Sequence, residues 1–344
     1  MSLITIIGAG QMASALTYPL TDNGHTVRLV GTPLDDAIID GLKKDNYHIT
    51  LKRPIPASVS FHYFSEAEDA LKGVDLVMGG VSSFGLDWFV ETVIPMLDEK
   101  VPVITVTKGM INENGNLISY PEYFEKMTDK NISFNAIGGP CTSYELADRD
   151  FSCVTFCGRS METLRWLKRI FSTNYYTVSL STDVRGVECA VAMKNAYALA
   201  VCLAIGMSYK REGREFEHYN SQAALFGQSV KEMTALLDLC GGHPSNLYLG
   251  AGDLYVTVYG GRTRKIGTLL GQEIPFSEAM EILKGVTLES IVIASRTAAA
   301  VRACIADGRA KAETFPLILH VDSLINEGAT VNIPWEKFAV EFEL

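Results

Sequence analysis

A chain of 344 residues is long enough for two domains and a substantial core. With 47% hydrophobic and 20% charged residues it has the composition of an ordinary globular protein. A formal net charge of -10 argues against general binding to nucleic acid or to an anionic membrane surface, and leaves room only for a local basic pocket.

The chain enters a strand almost at once, with no basic leader or cleavage pattern ahead of it. Leu3 to Ile7 is a short β-branched run of the kind buried on both faces of a sheet. Gly8-Ala9-Gly10-Gln11-Met12-Ala13 follows, then a helical stretch to about Asp22, a turn at Asn23-Gly24, and a second strand from Thr26 to Val30. This is the strand–turn–helix–strand context that a dinucleotide fingerprint requires. Gly8 permits the tight turn, Gly10 lets backbone approach a pyrophosphate, and Ala13 keeps helix and strand close. The helix start, with Gln11 and Met12, offers amides to the phosphates. The end of the second strand ordinarily separates NAD from NADP, by an acidic residue or an Arg. Here it reads Gly31-Thr32-Pro33, with Asp35 and Asp36 only further on. The cofactor is therefore NAD or NADP, with a slight lean to NAD because no Arg is present.

Asn46 to His62, which contains Pro54 and Pro56, reads as a surface excursion of the sheet, and the six His residues add no further signal. Buried-type strands recur at VDLVMGGV (74–81) and PVITVT (102–107). The latter runs into Lys108-Gly109, which places Lys108 at the carboxyl end of a strand, where ligands bind in open α/β sheets. The strand FNAIGG leads into GGPCTSYE, a Gly139-Pro140 turn opening a helix near Cys141 to Ser143. CVTFCG and YYTVSLS close the strand-rich half.

From about Thr182 helical patterns take over. The fold class is α/β, with an N-terminal Rossmann-type dinucleotide-binding domain over 1–182 and an all-helical C-terminal domain over 183–344. ECAVAMKNAYALAVCLAIG (188–206) is almost wholly apolar apart from Lys194 and Asn195. An unpartnered buried ammonium costs several kcal/mol or gives up its proton, so the pair marks either the polar edge of an amphipathic helix or the wall of a ligand site. The segment is long enough for a membrane span, but its central Lys-Asn favours a core helix. Downstream, LGAGDLYVTVYGGRTRKIGTLLG crowds Asp253, Thr257, Arg262, Thr263 and Arg264 around a Gly-Gly turn suited to phosphate recognition. Asp253 alone reads equally as a helix cap. Seven Cys without a CxxC pair read as reduced thiols of a cytoplasmic protein, and no metal cluster is expected.

Four segments in order, IIGAGQMASAL, TKGM with GGPCTSYE, GVECAVAMKNAYALA and GDLYVTVYGGRTRKIGTLLG, resemble the soluble NAD(P)-dependent glycerol-3-phosphate dehydrogenases, and the likeness spans residues 3 to about 330. The resemblance implies hydride transfer between a nicotinamide cofactor and a small phosphorylated substrate, dihydroxyacetone phosphate or sn-glycerol 3-phosphate, at a site between the two domains. It also implies a homodimer. By position, Lys194 takes the role of proton donor and acceptor, with Lys108, Asp253 and Thr257 as further active-site residues. Asn195, Arg262, Thr263, Gly139 and Cys141 fall on the substrate side. Gly8, Gly10, Gln11, Met12, Ala13, Lys108, Ser143, Arg262, Ile282 and Lys284 fall on the cofactor side.

The chemistry fits an ammonium in a dry site: reducing a ketone leaves alkoxide charge that must be stabilised and protonated. Three positions depart from the family. Thr263 stands for an Asn beside Arg262, Lys284 stands for a Glu, and Thr32 replaces a strand-end Arg. They leave two other readings open: the same chemistry on another small phosphorylated ketone or 3-hydroxy acid, or a non-catalytic dinucleotide-sensing regulator. Retention of Lys108, Lys194, Asp253 and Arg262 together speaks against a sensor.

Overall fold

A computed structural model describes residues 1–113, 115–213 and 216–339. The chain forms two compact units. One comprises residues 1–108 and 119–188, the other 109–118 and 189–344.

The first unit is built on an eight-stranded sheet: β1 (Leu3–Ile7), β2 (Thr26–Val30), β3 (Ser60–His62), β4 (Leu76–Gly79), β5 (Val103–Thr105), β6 (Phe134–Gly138), β7 (Ser152–Gly158) and β8 (Tyr176–Ser181). Their order is 8-7-6-5-4-1-2-3, and every pair is parallel except β6 with β7. β1 and β4 to β6 read as continuous apolar runs because parallel strands are covered on both faces. The succession of strands reverses at β1, which places the dinucleotide crevice of this fold class at the carboxyl ends of β1 and β4.

Two sequence expectations need correction here. The helix expected to run from the glycine turn to Asp22 is α1 (Gln11–Ala15) followed, after a break at Leu16, by Thr17–Asp22. Pro19 has no N–H to give the carbonyl of Ala15, which accounts for the interruption. The stretch 46–62 is also more than an excursion. After a short hairpin (47–48 with 53–54), Ser60–His62 pairs with β2 as the sheet's edge strand.

The second unit is wound around α2 (Val184–Ala192), of which residues from Cys189 belong here, and α3 (Lys194–Glu212). Residues 196 to 206 are all buried. A helix apolar on every side must be wrapped on every side, and α3 packs against α4 (Tyr219–Leu239), α5 (Leu247–Val258), α6 (Gly261–Gly271) and the helices 289–306 and 316–326. The run 184–212 passes a length-and-hydropathy test for a membrane span, yet it is mostly buried inside the fold. Residues 109–118 of the hairpin formed by 110–113 and 116–119 belong to this unit and meet helix 289–306, where the Cys304 thiol lies 3.6 Å from the carbonyl of Gly115.

Backbones of α3 and α6 touch. A Cβ on Gly271 would lie 2.2 Å from the carbonyl oxygen of Leu203. Gly271→Ala is therefore expected to destabilise the protein by about 2 kcal/mol or more, because backbone cannot yield as a side chain can. Gly227→Ala, in open space on α4, should instead stabilise by up to about 1 kcal/mol through helix propensity. Thermal melts of the two variants check both signs.

Candidate active site

Within the first unit the fingerprint loop is fixed before any ligand arrives. Gly8 has φ +107°, and a Cβ there would lie 2.8 Å from the carbonyl group of Gly80, so glycine is required on two counts. A Cβ on Gly80 would in turn meet the methyl of Ala13 at 2.4 Å, so the third small position of the motif packs against the end of β4. At Gly10 a Cβ would find only ordinary contact, 3.5 Å from the carbonyl oxygen of Gly80. The fold itself does not demand glycine at Gly10, and an approaching ligand would.

Ala9, the variable residue between these glycines, is held at both backbone groups. Its N–H donates to Asp35 Oδ2 at 3.1 Å, and the same oxygen accepts from the N–H and hydroxyl of Thr32 at 2.8 Å each. Its carbonyl lies 2.8 Å from Nε2 of the fully buried His48. His48 Nδ1 accepts from the Leu51 N–H at 3.1 Å, so Nε2 carries the proton and donates to Ala9. Burial lowers the His48 pKa and keeps the ring neutral.

Sequence reading missed this clamp. Asp35 seemed too far along and His48 was one of six uninformative His residues. Only the short distance of Asp35 from the β2 end hinted at it. Of the other predicted residues, Gln11 is exposed and spans two neighbours, donating to the carbonyl of Thr50 (3.0 Å) and accepting from Ser143 Oγ (3.4 Å). Met12 is half-buried against the core of this unit. Lys108, beyond β5, donates to the carbonyl of Gly139 at 2.8 Å. Cys141 is half-buried, with its thiol 3.8 Å from Ser152 Oγ. The structure thus gathers Gly8, Gly10, Lys108, Gly139 and Ser143 at the carboxyl ends of the parallel strands.

In the second unit the long helix of the sequence reading is interrupted at Met193, which puts Lys194 and Asn195 in the first turn of α3. The Lys194 ammonium pairs with Asp253 Oδ1 at 2.5 Å; the Asp253 side chain is fully buried and that of Lys194 is 14% exposed. Asp253 lies in the middle of α5, so it is not a helix cap. Its helix comes close because a Cβ on Gly250 would lie 2.4 Å from the carbonyl oxygen of Ala190. Thr257, one turn beyond, returns its hydroxyl to the Asp253 carbonyl at 2.7 Å. An ammonium held this way can stabilise an oxyanion and exchange a proton with it.

Two arginines of the GGRTR segment have different fates. Arg262 is exposed in the first turn of α6, where unsatisfied amides favour an anion. Arg264 instead pairs with Glu217 at 2.5 Å and donates to the Val258 carbonyl at 3.2 Å, which makes it structural. Thr263 is buried. Ile282 and Lys284 lie exposed at the end of helix 276–282, with Lys284 3.5 Å from Glu281.

The family model for the N-terminus of NAD-dependent glycerol-3-phosphate dehydrogenase matches residues 3–164, and that for its C-terminus matches residues 183–335. An NADP(+)-dependent glycerol-3-phosphate dehydrogenase of Archaeoglobus fulgidus is 30% identical over 285 residues, 82% of this chain and 84% of the relative. A glycerol-3-phosphate dehydrogenase [NAD(P)+] of Shouchella clausii is 29% identical over 296 residues, 85% of this chain and 84% of the relative. The crystal structure of glycerol-3-phosphate dehydrogenase from Coxiella burnetii shares the fold at a TM-score of 0.81 and 22% identity, covering 98% of this chain and 97% of that one. With both halves of the molecule matched in order, the chain belongs to the NAD-dependent glycerol-3-phosphate dehydrogenase family.

Proposed function

We infer that Lys194 is the proton donor and acceptor of this family's reaction, the NAD(P)-dependent interconversion of dihydroxyacetone phosphate and sn-glycerol 3-phosphate. The observation that carries the reading is the buried Lys194–Asp253 pair at 2.5 Å. A bound nicotinamide cofactor supplies or accepts the hydride. In the direction of ketone reduction, Lys194 Nζ gives a proton to the oxygen that becomes the hydroxyl, and Asp253 keeps the ammonium aimed and limits its desolvation penalty. In oxidation Lys194 takes the proton back. Arg262 and the first-turn amides of α6, with Asn195, are assigned to the substrate phosphate. Gly8, Gly10 and the clamped Ala9 are assigned to the pyrophosphate. Placement in the cytoplasm is supported by seven free cysteines, and a homodimer by family likeness alone.

Oxidation of NADH and NADPH with dihydroxyacetone phosphate tests the assignment. Lys194→Met is expected to lower kcat by about a thousandfold with dinucleotide affinity unchanged, the range typical of a lost general acid; a variant that turns over at the wild-type rate would remove Lys194 from the chemistry. In the same assay NADH should be the better substrate, because the Asp35 carboxylate at the β2 end disfavours a further phosphate while Lys284 already faces Glu281.

The arginines separate in kinetics. Arg262→Ala should raise KM for dihydroxyacetone phosphate by about tenfold to a hundredfold, as loss of a charge-assisted contact does. Arg264→Ala should chiefly lower the melting temperature, since its partners are Glu217 and the Val258 carbonyl. His48→Ala removes the donor to the Ala9 carbonyl and should weaken NADH binding by about tenfold with little change in kcat, read by fluorescence titration beside turnover.

A further inference from the structure

The thiols of Cys189 and Cys240 have no part in the mechanism above. Cys189 lies on α2 and is fully buried, while Cys240 caps the carboxyl end of α4 and keeps 7% exposure. The Cys189 thiol donates to Sγ of Cys240 at 3.3 Å. Since a disulfide bond is about 2.05 Å long, an approach of about 1.2 Å joins two sulfurs placed like this. The other buried thiols of this unit face carbonyl oxygens instead, Cys202 that of Val258 at 3.8 Å and Cys304 that of Gly115 at 3.6 Å. Cys240 is the accessible member of the pair. It leads into Gly241, which is exposed, has φ +70° and leaves open space where a Cβ would stand. Open space of that size suits approach by a small peroxide.

Backbone connects this pair to the catalytic charges. The Cys189 carbonyl accepts from the Met193 N–H at 3.4 Å, and Lys194 follows directly. Ala190, the neighbour of Cys189, carries the carbonyl that Gly250 approaches, on the same helix as Asp253. The Cys240 N–H is held by the Leu236 carbonyl at 2.9 Å, so its sulfur is carried by the frame of α4. Drawing the two sulfurs together therefore moves backbone that adjoins both partners of the ion pair.

We propose that Cys189 and Cys240 form a redox site, at which a hydroperoxide joins them in a disulfide that slows the enzyme by displacing α2 ahead of Lys194. The effect on turnover rests on the reading of Lys194 as proton donor; formation of the disulfide does not. The Cys240 sulfur attacks one oxygen of hydrogen peroxide, the O–O bond breaks, and a sulfenic acid and one water result. The Cys189 sulfur then displaces that hydroxyl, which leaves with the Cys189 proton as a second water while the S–S bond forms. The two thiols together lose two electrons and two protons, and the peroxide is reduced to two waters. In a reducing compartment such a bond is transient, as a sensing device requires.

The test is brief exposure of the reduced enzyme to hydrogen peroxide, followed by non-reducing digestion and mass spectrometry and, in parallel, by turnover. A peptide pair linked through Cys189 and Cys240 is expected. With it kcat should fall by about tenfold to a hundredfold, the scale of a displacement of about 1 Å at a reacting group. NADH affinity should hold, and dithiothreitol should restore the rate. Cys240→Ser and Cys189→Ala should each abolish both the linkage and the dithiothreitol-reversible loss, with melting temperatures showing that the variants are folded. The linkage is read on the wild-type protein, so it stands as a test even where a variant does not fold. Oxidation of the exposed Cys153 without any link between Cys189 and Cys240 would overturn the proposal. So would a linked enzyme with unchanged kcat, or an equal reversible loss in the two variants. Absence of turnover before any peroxide is added would count against the reading of Lys194 and leave the linkage result to decide the redox site.

Discussion

The ion pair between Lys194 and Asp253 is the constraint around which the helical unit is arranged. Two charges stand in a setting where residues 196 to 206 are buried without exception. Removing either partner from such a pair leaves an uncompensated charge, a loss of about 3–5 kcal/mol in comparable cases. The pair forms only if α5 comes close to the α2–α3 axis, and a glycine at 250 makes that approach possible. The same device recurs where Gly267 and Gly271 of α6 meet backbone of α3. Close helix crossings thus set the geometry of the charges. Arg262 is carried in the first turn of one of these crossing helices.

In the sheet unit the corresponding constraint is rigidity of a single residue. Ala9 has no side chain of note, and its backbone is nevertheless gripped by Asp35 and His48. A binding loop gains affinity by losing its freedom before the ligand arrives. The clamp is composed of one carboxylate and one neutral imidazole. His48 is kept neutral by burial, so the grip on the Ala9 carbonyl does not change charge where most assays are run.

Strands were the legible part of this fold. β1 and β2 occupy Leu3–Ile7 and Thr26–Val30 as the apolar pattern predicts, because strands covered on both faces write their burial directly into composition. The Lys194–Asp253 partnership was also within reach, since an ammonium in an apolar helix demands a counter-charge. What could not be read depended on neighbours distant in sequence. Nothing local distinguishes Arg264 from Arg262; the difference is Glu217. Nothing around His48 announces that Ala9 lies above it. The break at Met193 is equally silent, because its residues have no helix-breaking chemistry.

Two buried carboxylates show how differently one problem can be solved within a single chain. Glu232 accepts hydrogen bonds from the N–H groups of Leu317 and Ile318, the Gln228 amide and the Tyr197 hydroxyl, and so satisfies the open start of helix 316–326 from a distance. Even so, burial pushes its pKa up to about 7. Its placement has a structural account, since it satisfies two of the donors that a helix start leaves without an intrahelical partner. Glu188 caps nothing, and no hydrogen bond to it is found among the described residues.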